Sequence, residues 1–325
     1  MNYFDALNQT PEIWKLAAKT PPNRLLSDEA AIVLCGCGTS FYMAAQLANL
    51  LKIRGRDATA AEAADFFSDQ PHVPDSKKRY VFISRSGESM ESVLAMRETK
   101  RASCRTFYVG CARDSTLARE CDGMGLVEFA KEPMILESYS FGAQMLCLWR
   151  CMGLIAGPEA TYTCAQNALK AAQDVYEARC MGMNASRLIA LGAPFYMPLM
   201  REVMLKNGEI TKLPSEAWGI LEYRHGPRSW IDENSLVTLV PGERSAAFEE
   251  KVAQELAGYG ARVLWFGQNA PEGTLRVALD QEKFGITDVL SVSLFSMALA
   301  ARMGEERKID AANPARLLYA VEDLK

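Results

Sequence analysis

The sequence predicts an α/β protein whose two tandem halves each form a parallel sheet covered by helices on both faces. Short, strand-like apolar runs alternate with longer helix-like stretches, and this alternation is typical of parallel sheets. The alternation restarts near Arg187, after a stretch with the pattern of a linking helix. With 325 residues, the chain is long enough for two domains.

The predicted elements follow one another in a regular order. Strands in the first half are predicted at residues 31–35, 80–84, 106–110 and 125–129, and helices at residues 43–54, 89–101 and 116–121. Strands in the second half are predicted at residues 188–191, 236–240 and 262–266, and helices at residues 165–179 and 290–303. We therefore expect an N-terminal helical segment at 1–25, a first domain at 26–160 and a second at 161–325.

Composition and charge argue against several classes of protein. The net charge of −4 and the pI near 5.5 argue against a surface for nucleic acid or anionic membrane. The N-terminus lacks the apolar core of a secretory signal, and no stretch approaches the roughly 18 apolar residues of a membrane span. Nine scattered cysteines and two histidines indicate reduced thiols, no zinc site and a cytoplasmic location.

A weak internal repeat supports the division into two halves. Residues 34–52 align without gaps with residues 188–206, and this alignment matches Gly38 with Gly192. We interpret the repeat as a duplicated domain whose copies have diverged. The first turn reads Gly-Cys-Gly-Thr-Ser and the second reads Gly-Ala-Pro, so only the first keeps hydroxyl groups that could hold an anion.

Two loops of the first half have the composition of an anion site. One spans residues 36–40 and the other residues 84–89, and each follows a predicted strand and precedes a predicted helix. The carboxyl ends of parallel strands meet at one edge of the sheet, where ligands bind. Helix N-termini offer backbone N–H groups and a partial positive charge there, and hydroxyl groups and Arg85 add donors for a phosphate.

The same loops also fit a purely structural interpretation, in which Ser86 and Ser89 are helix caps and the glycines are turn residues. Two such loops on successive predicted strands favour the anion site. No Gly-Lys-Ser/Thr follows the glycines, and the first loop has Phe41 where a dinucleotide fingerprint has its third glycine. The sequence therefore disfavours a nucleotide as the ligand.

Four motifs resemble the sugar isomerase (SIS) domain as it occurs in double-SIS proteins. Residues 37–40 (Cys-Gly-Thr-Ser) and 84–89 (Ser-Arg-Ser-Gly-Glu-Ser) resemble the first domain, and Lys206-x-x-Glu209 followed by 224–227 (Arg-His-Gly-Pro) resembles the second. The group includes tagatose-6-phosphate ketose/aldose isomerase-like proteins, the isomerase half of glucosamine-6-phosphate synthase, and amino-sugar-phosphate deaminases and deglycases. The resemblance covers residues 26–325, without a glutaminase half, and implies two five-stranded parallel sheets in flavodoxin-like three-layer sandwiches.

The resemblance implies a 6-phosphosugar isomerase that needs neither a metal nor an organic cofactor and forms a homodimer with its active site at the interface. In this interpretation Glu209 moves a proton between C1 and C2, and Lys206 assists at the substrate hydroxyls. His225 opens the sugar ring from across the dimer interface. The residues that match phosphate ligands or lie beside them are Thr39, Ser40, Ser84, Arg85, Ser86 and Ser89. No nucleic-acid or membrane partner is expected.

Other positions match the family in part. Glu137 and Ser138 lie in a segment that lines the sugar in this family, so both are candidate substrate contacts. Glu222 resembles the synthase and deglycase pattern, whereas Arg85 resembles the tagatose-6-phosphate isomerase branch. Arg316 stands where the synthase has a lysine, and an arginine cannot form a Schiff base.

Three functions stay open at this point. The first is aldose–ketose isomerisation through a cis-enediol or enolamine, with or without loss of an amino group. Glu209, expected on a turn-like stretch after a helix, would be the general acid–base. The second is a deglycase of a 6-phosphorylated amine–sugar adduct, of the fructoselysine 6-phosphate type. The third is a phosphosugar sensor without turnover, against which the retention of Lys206, Glu209 and His225 argues.

Overall fold

The computed structural model describes residues 2–23, 26, 30–279 and 283–319. These residues form two compact units, which we describe separately. The N-terminal unit holds the described residues of 8–163 together with residues 284–287 and 315–319. The C-terminal unit holds residues 2–7, the described residues of 164–283, and residues 288–314.

The N-terminal unit is built on a parallel sheet with the strand order β2-β1-β3-β4-β5. Its strands are β1 (Ile32–Gly36), β2 (Ala58–Glu62), β3 (Arg79–Ile83), β4 (Arg105–Gly110) and β5 (Gly123–Leu126). Helix α1 (Tyr3–Leu7) comes first in the chain but belongs to the C-terminal unit. The helices of the N-terminal unit are α2 (Thr10–Ala17), α3 (Thr39–Ile53), α4 (Met90–Arg101), α5 (Thr116–Glu120) and α6 (Tyr139–Cys151). This order is that of flavodoxin-like folds.

Both faces of this sheet are covered by helices, which explains its apolar strands. Alternate residues such as Tyr80, Phe82 and Tyr108 form a buried cluster with residues of α4 and α5. The strand residues between these point to the other face of the sheet, which is covered by α3 and α6. Helix α3 contacts β1, helix α6 contacts β4, and the two helices pack against each other. A strand buried on both faces needs a continuous apolar run, and β1, β3 and β4 have one.

The C-terminal unit repeats this architecture with the strand order β10-β9-β8-β6-β7. Its strands are β6 (Arg187–Gly192), β7 (Ser215–Gly219), β8 (Ser235–Val240), β9 (Arg262–Trp265) and β10 (Leu275–Arg276). Its helices, two of which begin in the N-terminal unit, are α7 (Pro158–Val175), α8 (Met197–Thr211), α9 (Ala246–Gly258) and α10 (Ile286–Glu306). Helix α9 packs on one sheet face, and residues of α8 and α10 meet β6 and β8 on the other.

Helix α10 is longer than the sequence indicates, and it is the one described helix whose length and hydropathy would suit a membrane span. We had expected no such stretch. In the structure, 83% of its apolar window is buried. This burial is typical of a core helix, because a spanning helix would turn apolar residues outward to lipid.

The structure confirms two five-stranded parallel sheets flanked by helices. Seven predicted strands coincide or overlap with observed ones, although β5 begins earlier than its prediction. Sequence analysis missed the strands β2, β7 and β10, each of which lies at the edge of its sheet. Edge strands are partly exposed, and β2 and β7 lack a fully buried run, so they carry a weak apolar signal.

The structure corrects the register of the internal repeat. Gly36 ends β1 opposite Glu62 of the neighbouring strand, and Gly192 ends β6 opposite Gly219. A Cβ atom on Gly36 would lie 2.6 Å from the Ser40 backbone, and one on Gly192 would lie 3.2 Å from Tyr196 Cβ, four residues on in both cases. The strand ends therefore match Gly36, not Gly38, with Gly192. The gapless alignment was two residues out.

Candidate functional site

The two predicted anion loops meet at one edge of the N-terminal sheet. Strands β1 and β3 are hydrogen-bonded neighbours, and the connections from them run in opposite directions along the sheet. Open parallel sheets bind ligands in the crevice at such a point. Thr39 and Ser40 begin α3, and Ser89 is the residue before α4. The N-terminal ends of two helices thus supply partial positive charge at this edge.

Inside the loop of residues 84–89, which we call the phosphate loop, serine hydroxyls accept hydrogen bonds from the backbone. Ser84 Oγ accepts from the Gly87 N–H at 3.0 Å, and Ser86 Oγ accepts from the Glu88 N–H at 3.1 Å. A hydroxyl that accepts in this way keeps its own proton to donate. Ser89 occupies the N-cap position of α4, as the structural interpretation expects, but its side chain makes no capping hydrogen bond. The phosphate loop therefore presents hydroxyl donors in a fixed backbone.

The neighbouring strand and helix hold the phosphate loop in place. The Arg85 carbonyl accepts from the Cys111 N–H at 3.1 Å, and the Gly87 carbonyl accepts from the Leu117 N–H at 3.1 Å. Glu88 Oε1 accepts from the Thr116 N–H at 2.8 Å. Beside the loop lies a cleft of about 370 Å³, whose lining includes Ser86, Glu88, Arg113, Lys131 and Tyr319. The loop is thus rigid and borders a cleft.

The Arg85 side chain is directed at acceptors of the protein itself, whereas the sequence predicts it to lie beside a phosphate. Its side chain is 6% exposed, and Nη1 donates to Glu132 Oε2 at 3.0 Å and to the Met134 carbonyl at 3.3 Å. Nη2 donates to the Ile135 carbonyl at 2.5 Å, and the guanidinium lies 4.2 Å from the ring centre of Tyr319. These bonds engage three of the five guanidinium N–H groups, and Nε is buried without a hydrogen-bond partner among the described residues, so the side chain is directed mainly at the protein's own acceptors.

The carboxylates around Arg85 keep it charged. Burial alone would lower the pKa of the Arg85 guanidinium, but Glu137 and then Glu132 outweigh that effect and raise it. Arg85 Nε lies 4.0 Å from Glu137 Oε1. A charged group inside a protein requires such compensation, because desolvation is costly.

Glu132 organises the segment that follows β5. It is 2% exposed and receives four hydrogen bonds besides that of Arg85. Oε1 accepts from the Ser138 N–H at 2.7 Å, the Ser138 hydroxyl at 2.8 Å and the Ser140 N–H at 2.9 Å, while Oε2 accepts from the Ser140 hydroxyl at 3.0 Å. The carboxylate therefore sits at the N-terminus of α6, where a negative charge is favoured.

Glu137 and Ser138, predicted to contact the sugar, are both buried in this network. Glu137 Oε2 accepts from Gln144 Nε2 at 3.2 Å, and Ser138 bonds to Glu132. Their predicted contact with substrate stays a prediction. Sequence analysis did not include Glu132 among the site residues, and its partner Arg85 lies 47 positions away in the chain.

In the C-terminal unit, Lys206 and Glu209 form a close ion pair on α8. Lys206 Nζ lies 2.9 Å from Glu209 Oε2 and 3.8 Å from Glu202 Oε1. The Lys206 side chain is 4% exposed and that of Glu202 1%, while that of Glu209 is 18% exposed. A carboxylate that retains access to solvent, paired with a buried ammonium, can exchange a proton with a ligand and bring a positive charge to it.

The location of Glu209 differs from the expected turn-like stretch. Helix α8 continues through Gly208 to Thr211 and ends at Lys212, which adopts a left-handed conformation with φ 58°. The glycine suggested an early end, but the left-handed C-cap follows it by four residues. Glu202, missed by sequence analysis, lies on the same helix face, and its i, i+4 spacing to Lys206 was the available signal.

His225 and Glu222 are both exposed, at the two ends of a 3₁₀ helix (Glu222–His225). The buried Tyr223 between them donates to Glu216 Oε1 at 3.2 Å and anchors the turn. Within the described residues, no hydrogen bond or ion pair joins His225 to Glu209. The other histidine, His72, lies 3.2 Å from Tyr80 Oη, and burial lowers its pKa. His225 is therefore the accessible histidine.

In the C-terminal sheet, the loop that corresponds to the phosphate loop is occupied by a carboxylate of the protein itself. After β8, the Gly242 N–H donates to Glu249 Oε2 at 2.7 Å, and the Ser245 hydroxyl donates to Oε1 at 2.7 Å. Glu249 comes from α9 and is 1% exposed. A buried carboxylate thus takes the loop donors that a phosphate would need.

Arg316 is exposed and has φ 70°. It belongs to the N-terminal unit together with Tyr319, the aromatic residue stacked on Arg85. A substrate contact by Arg316 stays a prediction.

Comparison with known proteins identifies part of the chain. Residues 25–148 match the sequence model of the SIS domain. The glutamine–fructose-6-phosphate aminotransferase of Tropheryma whipplei is 27% identical over 319 residues, which cover 89% of this chain and 51% of that protein. The chain therefore spans about half the length of the curated relatives it matches.

Solved structures agree in fold. Glucosamine-6-phosphate deaminase from Thermotoga maritima is 19% identical, with a TM-score of 0.82 over 98% of each chain. Tagatose-6-phosphate ketose/aldose isomerase from Escherichia coli is 17% identical, with a TM-score of 0.77 over 95% of this chain and 94% of that one. At these identities the likeness establishes the fold.

Proposed function

Because residues 25–148 carry an SIS domain, we propose that the chain is a phosphosugar isomerase that acts on a 6-phosphosugar. The observation that carries the proposal is the ion pair of the buried Lys206 with Glu209, at 2.9 Å. Burying a lysine beside a partly accessible glutamate is costly because both charges lose hydration, and charged groups held at such a cost cluster at functional sites. The hydroxyl-rich phosphate loop of the other unit supports the same function.

The proposed chemistry is a proton transfer between neighbouring carbons. Glu209 removes the proton from the carbon beside the carbonyl, which leaves a cis-enediol or, with an amino sugar, an enolamine. Lys206 stabilises the negative charge that develops on the enediolate oxygen. Glu209 then returns the proton to the former carbonyl carbon, while the hydroxyl proton of the neighbouring carbon passes to the former carbonyl oxygen, so atoms and charge balance without a cofactor. His225 shuttles the proton that opens the sugar ring.

Binding of the phosphate is assigned to the N-terminal unit. The hydroxyls of Ser84, Ser86 and Ser89 donate to the phosphate, together with Thr39 and Ser40 at the start of α3. Glu222 and Arg316 are proposed sugar contacts, since both are exposed polar groups. A second phosphate site in the other sheet is not proposed, because Glu249 occupies that loop.

A second candidate function is attack on a nitrogen-bearing phosphosugar, either deamination of an amino sugar or cleavage of an amine adduct. Glu137, in the segment that follows β5, is the candidate contact for an amino group, which it would bind in exchange for its present contacts with Gln144 and Arg85. The structural neighbour from Thermotoga maritima has the name of a deaminase. A sensor without turnover is disfavoured, because binding alone would not need the buried Lys206.

The function is tested with a panel of sugars in D₂O, followed by NMR. Fructose 6-phosphate, tagatose 6-phosphate, glucosamine 6-phosphate and fructoselysine 6-phosphate separate the alternatives. We expect deuterium to enter C1 or C2 of the true substrate, and released ammonia or lysine identifies a deaminase or deglycase. The same sugars without phosphate are the control and should react far more slowly. Tight binding of a phosphosugar with neither exchange nor turnover would instead indicate a sensor.

We also propose that the protein is cytoplasmic and forms a homodimer whose active site is shared between the two chains. The shared site is proposed because His225 is exposed and makes no hydrogen bond or ion pair within the described C-terminal unit. Glu209→Gln and His225→Gln dimers are expected to be inactive separately. Co-expression should restore partial activity, since a mixed dimer then holds one intact combination of Glu209 and His225. Activity that stays absent in verified mixed dimers would show that one chain supplies both residues.

A further inference from the structure

We infer that Glu132 is a positioning residue that holds the phosphate loop through the guanidinium of Arg85. The inference rests on the proposed function in one respect, namely that residues 84–89 bind the phosphate. It assigns to Arg85 a role different from that of a phosphate ligand, and to Glu132 a role that sequence analysis did not give it.

The first step is the saturation of Glu132. Its two carboxylate oxygens receive five hydrogen bonds, at 2.7 to 3.0 Å, from three residues. Two of these donors, the backbone N–H groups of Ser138 and Ser140, belong to the first turn of α6. Glu132 is therefore fixed to a helix, and a group fixed in this way can hold the position of whatever binds to it.

The second step is the geometry of Arg85. Its backbone belongs to the phosphate loop and accepts a hydrogen bond from Cys111 at the end of β4. Its side chain reaches the segment of residues 132–135, where Glu132 and two carbonyls receive it. Tyr319 covers the guanidinium at 4.2 Å. Arg85 therefore links the phosphate loop to the segment after β5, with Glu132 as the charged end of that link.

The third step concerns charge. A buried guanidinium without a counter-charge is costly, and here the carboxylates of Glu132 and Glu137 lie at 3.0 Å and 4.0 Å from it. If Arg85 turned to a phosphate, the pair with Glu132 would break and leave a buried carboxylate unpaired. The bound phosphate would need to compensate that loss. The present geometry is consistent with a loop that is pre-formed before a ligand arrives.

The test is a double-mutant cycle with fructose 6-phosphate and inorganic phosphate as calorimetric probes. Glu132→Gln and Arg85→Gln should each weaken binding on the order of tenfold, and the double variant should be no weaker than the worse single one. Free fructose should bind equally to all variants. If Arg85 were a direct ligand, Glu132→Gln would leave phosphate affinity unchanged or increase it, and that result would overturn the inference.

A matched control is Glu120→Gln, which breaks the exposed Arg97–Glu120 ion pair between α4 and α5. Exposed pairs contribute little, so binding should not change. Should Glu132→Gln fail to fold, Ser140→Ala removes a single 3.0 Å donor from Glu132 and is expected to weaken phosphate binding by a few-fold. Wild-type affinity in that variant would contradict the inference.

Hydrogen–deuterium exchange separates this inference from the proposed function. Backbone amides of residues 84–89 should exchange faster in Glu132→Gln than in the wild type, without any ligand, and Glu120→Gln should not show this change. If the wild type binds no sugar phosphate, the proposed function fails, yet faster exchange still supports the link through Arg85. Unchanged exchange in a folded Glu132→Gln variant would overturn the link itself.

Discussion

Replacing Glu209 with glutamine is expected to abolish deuterium exchange at C1 and C2 of the substrate while leaving phosphosugar binding intact. An amide cannot accept and return the proton, and loss of general acid–base catalysis typically costs about 10²–10⁴-fold in rate. Binding should survive, because the hydroxyls assigned to the phosphate lie in the N-terminal unit.

The Glu209→Gln variant should also fold, which makes the result interpretable. Lys206 keeps the carboxylate of Glu202 at 3.8 Å as a counter-charge, so its buried ammonium does not become isolated. The measurement is NMR in D₂O with the best substrate of the panel, alongside calorimetric binding. Glu243→Gln, an exposed position of the same unit, is the control. Exchange at the wild-type rate in Glu209→Gln would refute the proposed mechanism.

The second large effect is expected for Gly87→Ala in the phosphate loop. Gly87 has φ 67°, and a Cβ atom there would lie 2.1 Å from Ser115 Oγ and 2.6 Å from Ser115 Cβ. Ser115 cannot easily move away, because its hydroxyl donates to the Ala112 carbonyl and accepts from the Ala118 N–H at the start of α5. The loop must therefore shift and displace the hydroxyls of Ser84 and Ser86.

We expect Gly87→Ala to raise the KM for a phosphosugar about tenfold or more, because a displacement near 1 Å in a binding site can cost up to about 10²-fold. Gly55→Ala is a matched control, since Gly55 has φ 77° with nothing within 4 Å of the added Cβ. In both variants the left-handed conformation of the new alanine lowers the free energy of unfolding by about 1–2 kcal/mol. Only Gly87→Ala should change KM. Equal KM values for the two variants would remove residues 84–89 from the phosphate site.

Much of the candidate site could be predicted because it lies in local sequence. The phosphate loop follows a strand with a continuous buried apolar run and precedes an amphipathic helix, and both patterns can be recognised in the sequence. Lys206 and Glu209 are three residues apart, a spacing that places them on one helix face once α8 continues through Gly208. In such cases, the chain positions that build the feature are adjacent, and short-range geometry suffices.

Other features could not be predicted because their signal is weak or distant. The edge strands β2 and β7 are partly exposed, so no continuous apolar run marks them. The repeat was aligned on matching residue types, whereas its register follows from the close approach of Gly36 and Gly192 to the helices after them. Helix α8 passes Gly208 and ends at a left-handed lysine, which no local rule favours.

Sequence by itself therefore determined the α/β class and the hydroxyl-rich loop at residues 84–89. Tertiary structure decided the direction of the Arg85 side chain, the role of Glu132 and the carboxylate of Glu249 in the second sheet. The physical reason is that a long charged side chain in a buried place takes its position from its counter-charge. For Arg85 that counter-charge lies 47 positions further along the chain, where only folding brings it within 3.0 Å.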